Sequence, residues 1–170
     1  MFPLKLHAYG LPIPTPDKSG GFGHRRKHDV HTGIDLYCEE GTEVFAIDDG
    51  EVVAIFPFTG KKADSGWWED TDAIMVKHIY CTVLYGEIII ESKLKVGSKV
   101  SEGDLLGKVK RVLKEDKGLP MSMLHIEKYE LESIEAVWWF LNGEKPTDLL
   151  DPYSLLDWER NCDMFKDDEE

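Results

Sequence analysis

Between Thr42 and Val109 the chain is cut into short β-type runs separated by glycine-bearing turns, with no helical period among them. Glu43-Val44-Phe45-Ala46-Ile47 and Gly50-Glu51-Val52-Val53-Ala54-Ile55-Phe56 flank Asp48-Asp49-Gly50, a tight-turn signal, and so read as a hairpin. Ala73-Ile74-Met75-Val76-Lys77-His78 and Cys81-Thr82-Val83-Leu84-Tyr85 read as two more strands, followed by Ile88-Ile89-Ile90. Between the pairs, the polar stretch from Thr59 to Asp72 is an excursion loop. Its Trp67 and Trp68 either pack against the barrel wall or grip a ligand. The rhythm of Gly41-Thr42-Glu43-Val44 through Val52 returns in Val96-Gly97-Ser98-Lys99-Val100 through Val109. A strand–turn–strand unit used twice predicts a closed antiparallel sandwich or barrel of two similar halves.

The flanks differ. Gly10-Leu11-Pro12-Ile13-Pro14-Thr15-Pro16 and Ser19-Gly20-Gly21-Phe22-Gly23 predict ordered loop. Leu131, Ile134, Val137, Trp138 and Leu141 recur at helical spacing and predict a helix over 130–141, stopped by Asn142-Gly143, with a shorter helix from about Pro152. At 170 residues and 42% hydrophobic, the chain reads as one domain over 1–157 with an acidic tail, 158–170. Twenty Lys and Arg against 33 Asp and Glu give a net charge of −13, which speaks against nucleic acid and anionic membrane surfaces as partners. No run approaches the roughly 20 apolar residues of a membrane span. The start has no charged region followed by an apolar run, so a cytoplasmic location is expected. Cys38, Cys81 and Cys162 form neither a disulfide framework nor a CxxC knuckle.

Six histidines without a GxSxG motif direct attention to metal chemistry. In His31-Thr32-Gly33-Ile34-Asp35 a spacing of four puts an imidazole and a carboxylate on one face of a strand, and Gly33 argues against a helix. That is two-thirds of a catalytic zinc triad, which uses three protein ligands and keeps a fourth position for water. His125 in Met123-Leu124-His125-Ile126-Glu127 is a candidate third ligand or a satisfied core histidine. Glu127 is placed to receive a ligand's second N–H or to pair with a nearby base.

Taken together, His31 to Asp35, Gly41-Thr42-Glu43-Val44, Val76-Lys77-His78, Leu84-Tyr85-Gly86-Glu87, Val96-Gly97 through Val109 and Leu124-His125-Ile126-Glu127 resemble the lysostaphin-type (LytM-like) zinc metallopeptidases in wording and order. The likeness covers roughly residues 20–128, and Pro146 to Leu156 resembles the family's closing segment. It implies an all-β, mainly antiparallel barrel-sandwich with a groove, peripheral C-terminal helices, and Zn²⁺ held by His31, Asp35 and His125.

Two departures qualify what the resemblance implies. Peptide-cutting members carry two further histidines beside the metal; this chain has Met123 at the first residue of the HxH pair and Glu87 after Tyr85-Gly86. A thioether carries no proton, and loss of an acid–base group typically costs about 10²–10⁴ in rate. Glu87 can act as general base, as glutamate does in HExxH enzymes, or close the open position as a fourth ligand. His24 and His28 can approach the metal from the side, and His78 sits at a strand end. The run His24-Arg25-Arg26-Lys27-His28 either neutralises surrounding acids or forms a cationic rim for a carboxylate-bearing peptide. The expected function is therefore a zinc-bound, catalytically impaired domain holding a peptide or protein in its groove. The alternative is an active endopeptidase on glycine-containing or peptidoglycan peptides with Glu87 as base. A biotinyl- or lipoyl-type carrier would need a hairpin-tip lysine in an MKM or DKA setting, which is absent.

Overall fold

The computed structural model describes residues 1–5 and 12–156. His7, the Gly10-Leu11 start of the proline loop, Cys162 and the expected acidic tail lie outside the described residues. Among the described residues nine strands form one sheet: β1 (Ile34–Tyr37), β2 (Glu43–Phe45), β3 (Gly50–Thr59), β4 (Thr71–Lys77), β5 (Thr82–Ile90), β6 (Lys99–Val100), β7 (Leu105–Val109), β8 (Met123–Tyr129) and β9 (Leu149–Leu150). Their order is β1-β8-β5-β4-β3-β6, with β2 on β7, β7 also on β5, and β9 on β8; every pairing is antiparallel. The all-β class is as expected. A single helical turn at 153–156 is the one α-helix among the described residues. The inner strands β4 and β5 carry the apolar runs Ala73–Val76 and Val83–Tyr85 because both faces are covered there, and Ile74, Met75, Val76, Val83, Leu84 and, on β8, Leu124 have no exposed surface.

The expected hairpin across Asp48-Asp49-Gly50 does not form. Glu43, Val44 and Phe45 of β2 pair with Lys108, Gly107 and Leu105 of β7, while Gly50 and Glu51 of β3 pair with Val100 and Lys99 of β6. The Ala46 amide donates to the Asp104 carbonyl, and the Gly103 amide to the Ala46 carbonyl, both at 2.9 Å. The two repeated units thus exchange partners. An isolated two-stranded hairpin buries too little to persist, whereas the exchange collects Val44, Val52, Val100 and Leu106 into one core.

The expected helix over 130–141 is also absent. From Val137 to Phe140 exposure alternates with the period of a strand: Val137 and Trp139 pack against the core, while Trp138 and Phe140 are exposed. The Val30 amide donates to the Trp139 carbonyl at 2.9 Å, and the Trp139 ring meets Phe22 at a centroid distance of 5.6 Å. Val, Trp, Trp and Phe are weak helix formers, and a neighbouring backbone to pair with decides the outcome.

The strand-end His78 has a structural post. Its Nδ1–H donates to the Asp49 carbonyl (3.0 Å) and its Nε2 accepts the Tyr85 hydroxyl (2.9 Å), which itself accepts the Ile47 amide (3.1 Å). Burial pushes the His78 pKa below its ordinary 6.5. The unfolded chain therefore binds this proton more readily than the folded one, so the contribution is complete above about pH 6.5 and is lost as pH falls through the folded-state value. Urea denaturation should show the stability of the parent falling relative to that of His78→Gln as pH drops below about 6.5. Tyr85→Phe should lower stability at neutral pH by about 1–3 kcal/mol, because it orphans two buried groups at once.

Candidate metal centre

Strand β8 presents Met123, His125 and Glu127 on one face. Its register with β1 sets Asp35 opposite His125 and Tyr37 opposite Met123, while Gly86 of β5 opposes His125 on the other side. The Phe58 ring lies over the His125 imidazole, centroids 5.3 Å apart; a Cβ on Gly86 would stand 2.7 Å from that ring. His31 is not on the strand with Asp35, as the spacing predicted. It precedes β1, and the chain bends at Gly33. A Cβ there would stand 2.4 Å from the Ile126 carbonyl oxygen and 2.8 Å from His125 Nε2, so glycine is what permits this approach.

The structure brings His31, Asp35 and His125 together, with one ligand atom of each within 4.8 Å of the others and all three side chains buried. His31 Nε2 lies 3.2 Å from His125 Nδ1 and 3.3 Å from Asp35 Oδ1, and His125 Nδ1 lies 2.8 Å from the same Asp35 oxygen. Tetrahedral zinc with ligands at about 2.0–2.1 Å spaces them about 3.3 Å apart. The far sides of the rings assign the protons. His31 Nδ1–H donates to the Gly21 carbonyl at 2.9 Å and His125 Nε2–H to Glu127 Oε1 at 2.9 Å. Glu127 also accepts the Thr32 hydroxyl (2.5 Å) and the Tyr129 hydroxyl. Each neutral imidazole then turns a bare lone pair toward the other and toward a carboxylate oxygen. Three converging donors with no proton between them fit a cation, and the outer partners fix each ring's tautomer for that role.

The charges agree. Burial raises the Asp35 carboxyl, but His31 and His125 outweigh it and hold the group well below its ordinary range. Burial opposes charge on His125, but hydrogen bonds to Asp35 and Glu127 push it up to about 10, so without a metal a proton takes the place of the cation. Arg26 Nη2 stands 3.4 Å from the outer oxygen, Asp35 Oδ2. His24 instead bonds the Pro16 carbonyl (2.8 Å), His28 is exposed, and neither joins the cluster.

The cluster lines a groove of about 730 Å³ together with Met123, Glu87, Phe58, Trp68 and Trp138. Met123, 7% exposed, thus stands on the ligand face of β8. Glu87 reaches the groove by a backbone device. Strand β5 pairs with β8 up to Gly86 and with β7 from Ile88, its register against β4 shifts at the same point, and Glu87 between them has φ +63°. Its Oε2 is sealed and without a hydrogen-bond partner; burial, then the Asp35 charge, push the carboxyl up to about 8. It does not belong to the three-residue cluster. Thr32, Tyr129 and Phe58 escaped sequence reading; of these only Tyr129, two residues beyond Glu127 on one strand face, left a periodic signal.

Comparison with known proteins places the fold. No curated protein matches the chain. Among solved structures it is similar to the catalytic domain of the antimicrobial peptidase lysostaphin from Staphylococcus simulans, at 18% identity over 86% of each chain with a TM-score of 0.51. It covers 45% of the length of another lysostaphin structure. It is also similar to a catalytic-domain mutant of the prophage-encoded M23 protein EnpA from Enterococcus faecalis, at 21% identity over 85% of this chain and 92% of that one, TM-score 0.53. A third similar structure is LytU, at 18% identity, 86% and 84% coverage and TM-score 0.54. These likenesses agree with the fold, and the model of peptidase family M23 matches residues 29–135, more than half of the chain. The chain belongs to peptidase family M23.

Proposed function

We propose that this chain is a zinc-binding M23 domain, catalytically impaired, which holds a peptide or protein segment in its groove. One observation carries the reading. Three donor atoms, 2.8–3.3 Å apart and backed by outer hydrogen bonds, converge on one point, while the neighbouring positions that would move protons hold Met123 and Glu87. His31, Asp35 and His125 would hold the ion. When bound, zinc supplies Lewis acidity to a carbonyl oxygen and lowers the pKa of a coordinated water.

The remaining side chains say how far such chemistry could go. Met123 fills its dry position with a thioether that neither donates nor accepts a proton usefully. Glu87 sits where burial and Asp35 favour its protonated form, which is poorly suited to taking a proton at neutral pH. Arg26 neutralises the outer oxygen of Asp35 and orients that carboxylate. The second reading, an active endopeptidase, is favoured by one feature, the positive-φ backbone that turns Glu87 into the groove.

Elemental analysis of purified chain should find about one zinc per molecule, and its removal by chelator should lower the melting temperature. His125→Ala and Asp35→Asn should each lose the metal, whereas folded wild-type chain that takes up no zinc would refute the assignment.

Glycine-rich peptides should be cleaved by the parent at no more than background. Glu87→His with Met123→His should raise the rate by about 10²–10⁴. Cleavage by the parent that disappears in Glu87→Gln would instead establish the second reading.

A further inference from the structure

Outside the metal cluster the groove carries a pattern of its own. Trp138, Leu119 and Ile134 on its wall leave 68%, 61% and 59% of their surface to solvent. A contiguous apolar display of this kind marks a surface awaiting a partner. Among these side chains stand four acids, Asp29, Asp64, Glu87 and Glu135, none in an ion pair with a described residue. Against them the described lining offers one Lys or Arg, Arg26, whose guanidinium is already turned to Asp35.

The inner end adds an independent sign. Glu87 Oε2 lines the groove, has no exposed surface and meets no donor. A carboxyl oxygen buried without a partner is costly, and the cost ends when an N–H donor arrives. The net charge of −13 extends the same bias over the whole molecule.

We infer that the occupant of this groove is an extended peptide segment of mixed apolar and basic side chains. Its Lys or Arg groups meet Asp64 and Glu135, an N–H donor reaches Glu87, and its apolar groups cover the Trp138 wall. The inference rests on the peptide-binding reading above and names the class of peptide. An acidic peptide would be repelled by the unpaired carboxylates, and a glycine strand would leave Trp138, Leu119 and Ile134 bare.

Fluorescence anisotropy on the full chain, with zinc content measured in the same samples, tests this with four labelled peptides of equal length: alternating Leu and Lys, Leu and Glu, Ser and Lys, and glycine alone. The Leu/Lys peptide should bind at least about tenfold more tightly than each of the others. Its affinity should weaken as salt rises from about 0.05 M to about 0.5 M. Trp138→Ala, Glu87→Leu and the pair Asp64→Asn with Glu135→Gln should each loosen it at least about threefold while circular dichroism is unchanged. Equal binding of the Leu/Glu or glycine peptide would overturn the charge argument. Equal binding of Ser/Lys would reduce the effect to general attraction by an acidic protein, and insensitivity to all three changes would place the peptide elsewhere; either result overturns the inference. Preference retained by a sample that binds no zinc removes the zinc assignment and supports this one, whereas a zinc-loaded sample without preference overturns this one alone.

Discussion

A demand for positive charge at the meeting point of β1 and β8 is the constraint on which the rest of this molecule depends. His31, His125 and Asp35 are buried, and both imidazoles spend their N–H groups outward, on the Gly21 carbonyl and on Glu127. What faces inward is electron-rich on all three sides. Such a cluster is repulsive when empty and becomes cohesive around a proton or a metal ion. The raised His125 pKa is the protonic form of the same demand. In these terms Glu127, with Thr32 and Tyr129 donating to it, is as much a part of the centre as the ligands. It holds the His125 tautomer and supplies the negative charge that offsets the cation.

The sheet makes room for this cluster by letting one strand change neighbours. Up to Gly86, β5 is zipped to β8; from Ile88 it is zipped to β7, and Lys110 closes the junction through its amide to the Glu87 carbonyl at 3.0 Å. The fork opens the head of the groove, and Gly86 and Gly33 clear the space on either side of His125. Glu87 takes the left-handed conformation at the fork, an arrangement that disfavours most side chains. A residue there is directed by the backbone rather than by strand alternation.

The central strands and the residues of the His31, Asp35 and His125 cluster were legible in the sequence because each is written in local language. Apolar runs mark β4 and β5, and His31, Asp35 and His125 stand in short recognisable motifs. The partner of β2 was not legible, because the Asp48-Asp49-Gly50 turn is equally compatible with strands that fold back on each other and with strands that cross to the other repeat. That choice belongs to the shared core of Val44, Val52, Val100 and Leu106, which appears only once both repeats are in place. The segment 130–141 misled for a related reason. Its apolar residues match a period near 3.6 through Leu131 to Leu141, and a period of two through Val137 to Phe140; backbone pairing of Trp139 with Val30 selected the second. Where two periods overlap in aromatic sequence, hydrogen-bond partners decide.

Holding a metal and using one are separable demands, and under the proposed reading this chain separates them. Holding requires lone pairs at fixed spacing and outer partners that keep the rings in register, which His31, Asp35, His125, Gly21 and Glu127 supply. Using it requires groups that carry protons to and from a reacting peptide, and a thioether at Met123 and a sealed carboxyl at Glu87 are poor at both. The first demand has value without the second. The ligand contacts join positions 90 and 94 residues apart in the chain, so an ion bound there would act as a cross-link that restricts the unfolded ensemble. It would also clamp the segment before β1 onto β8, at the head of the groove, and so hold Trp138 and the acids opposite in place to receive a peptide. Under the proposed reading the metal's contribution is then the shape of a binding surface, and the fold retains the groove of a peptidase as a rigid receptor.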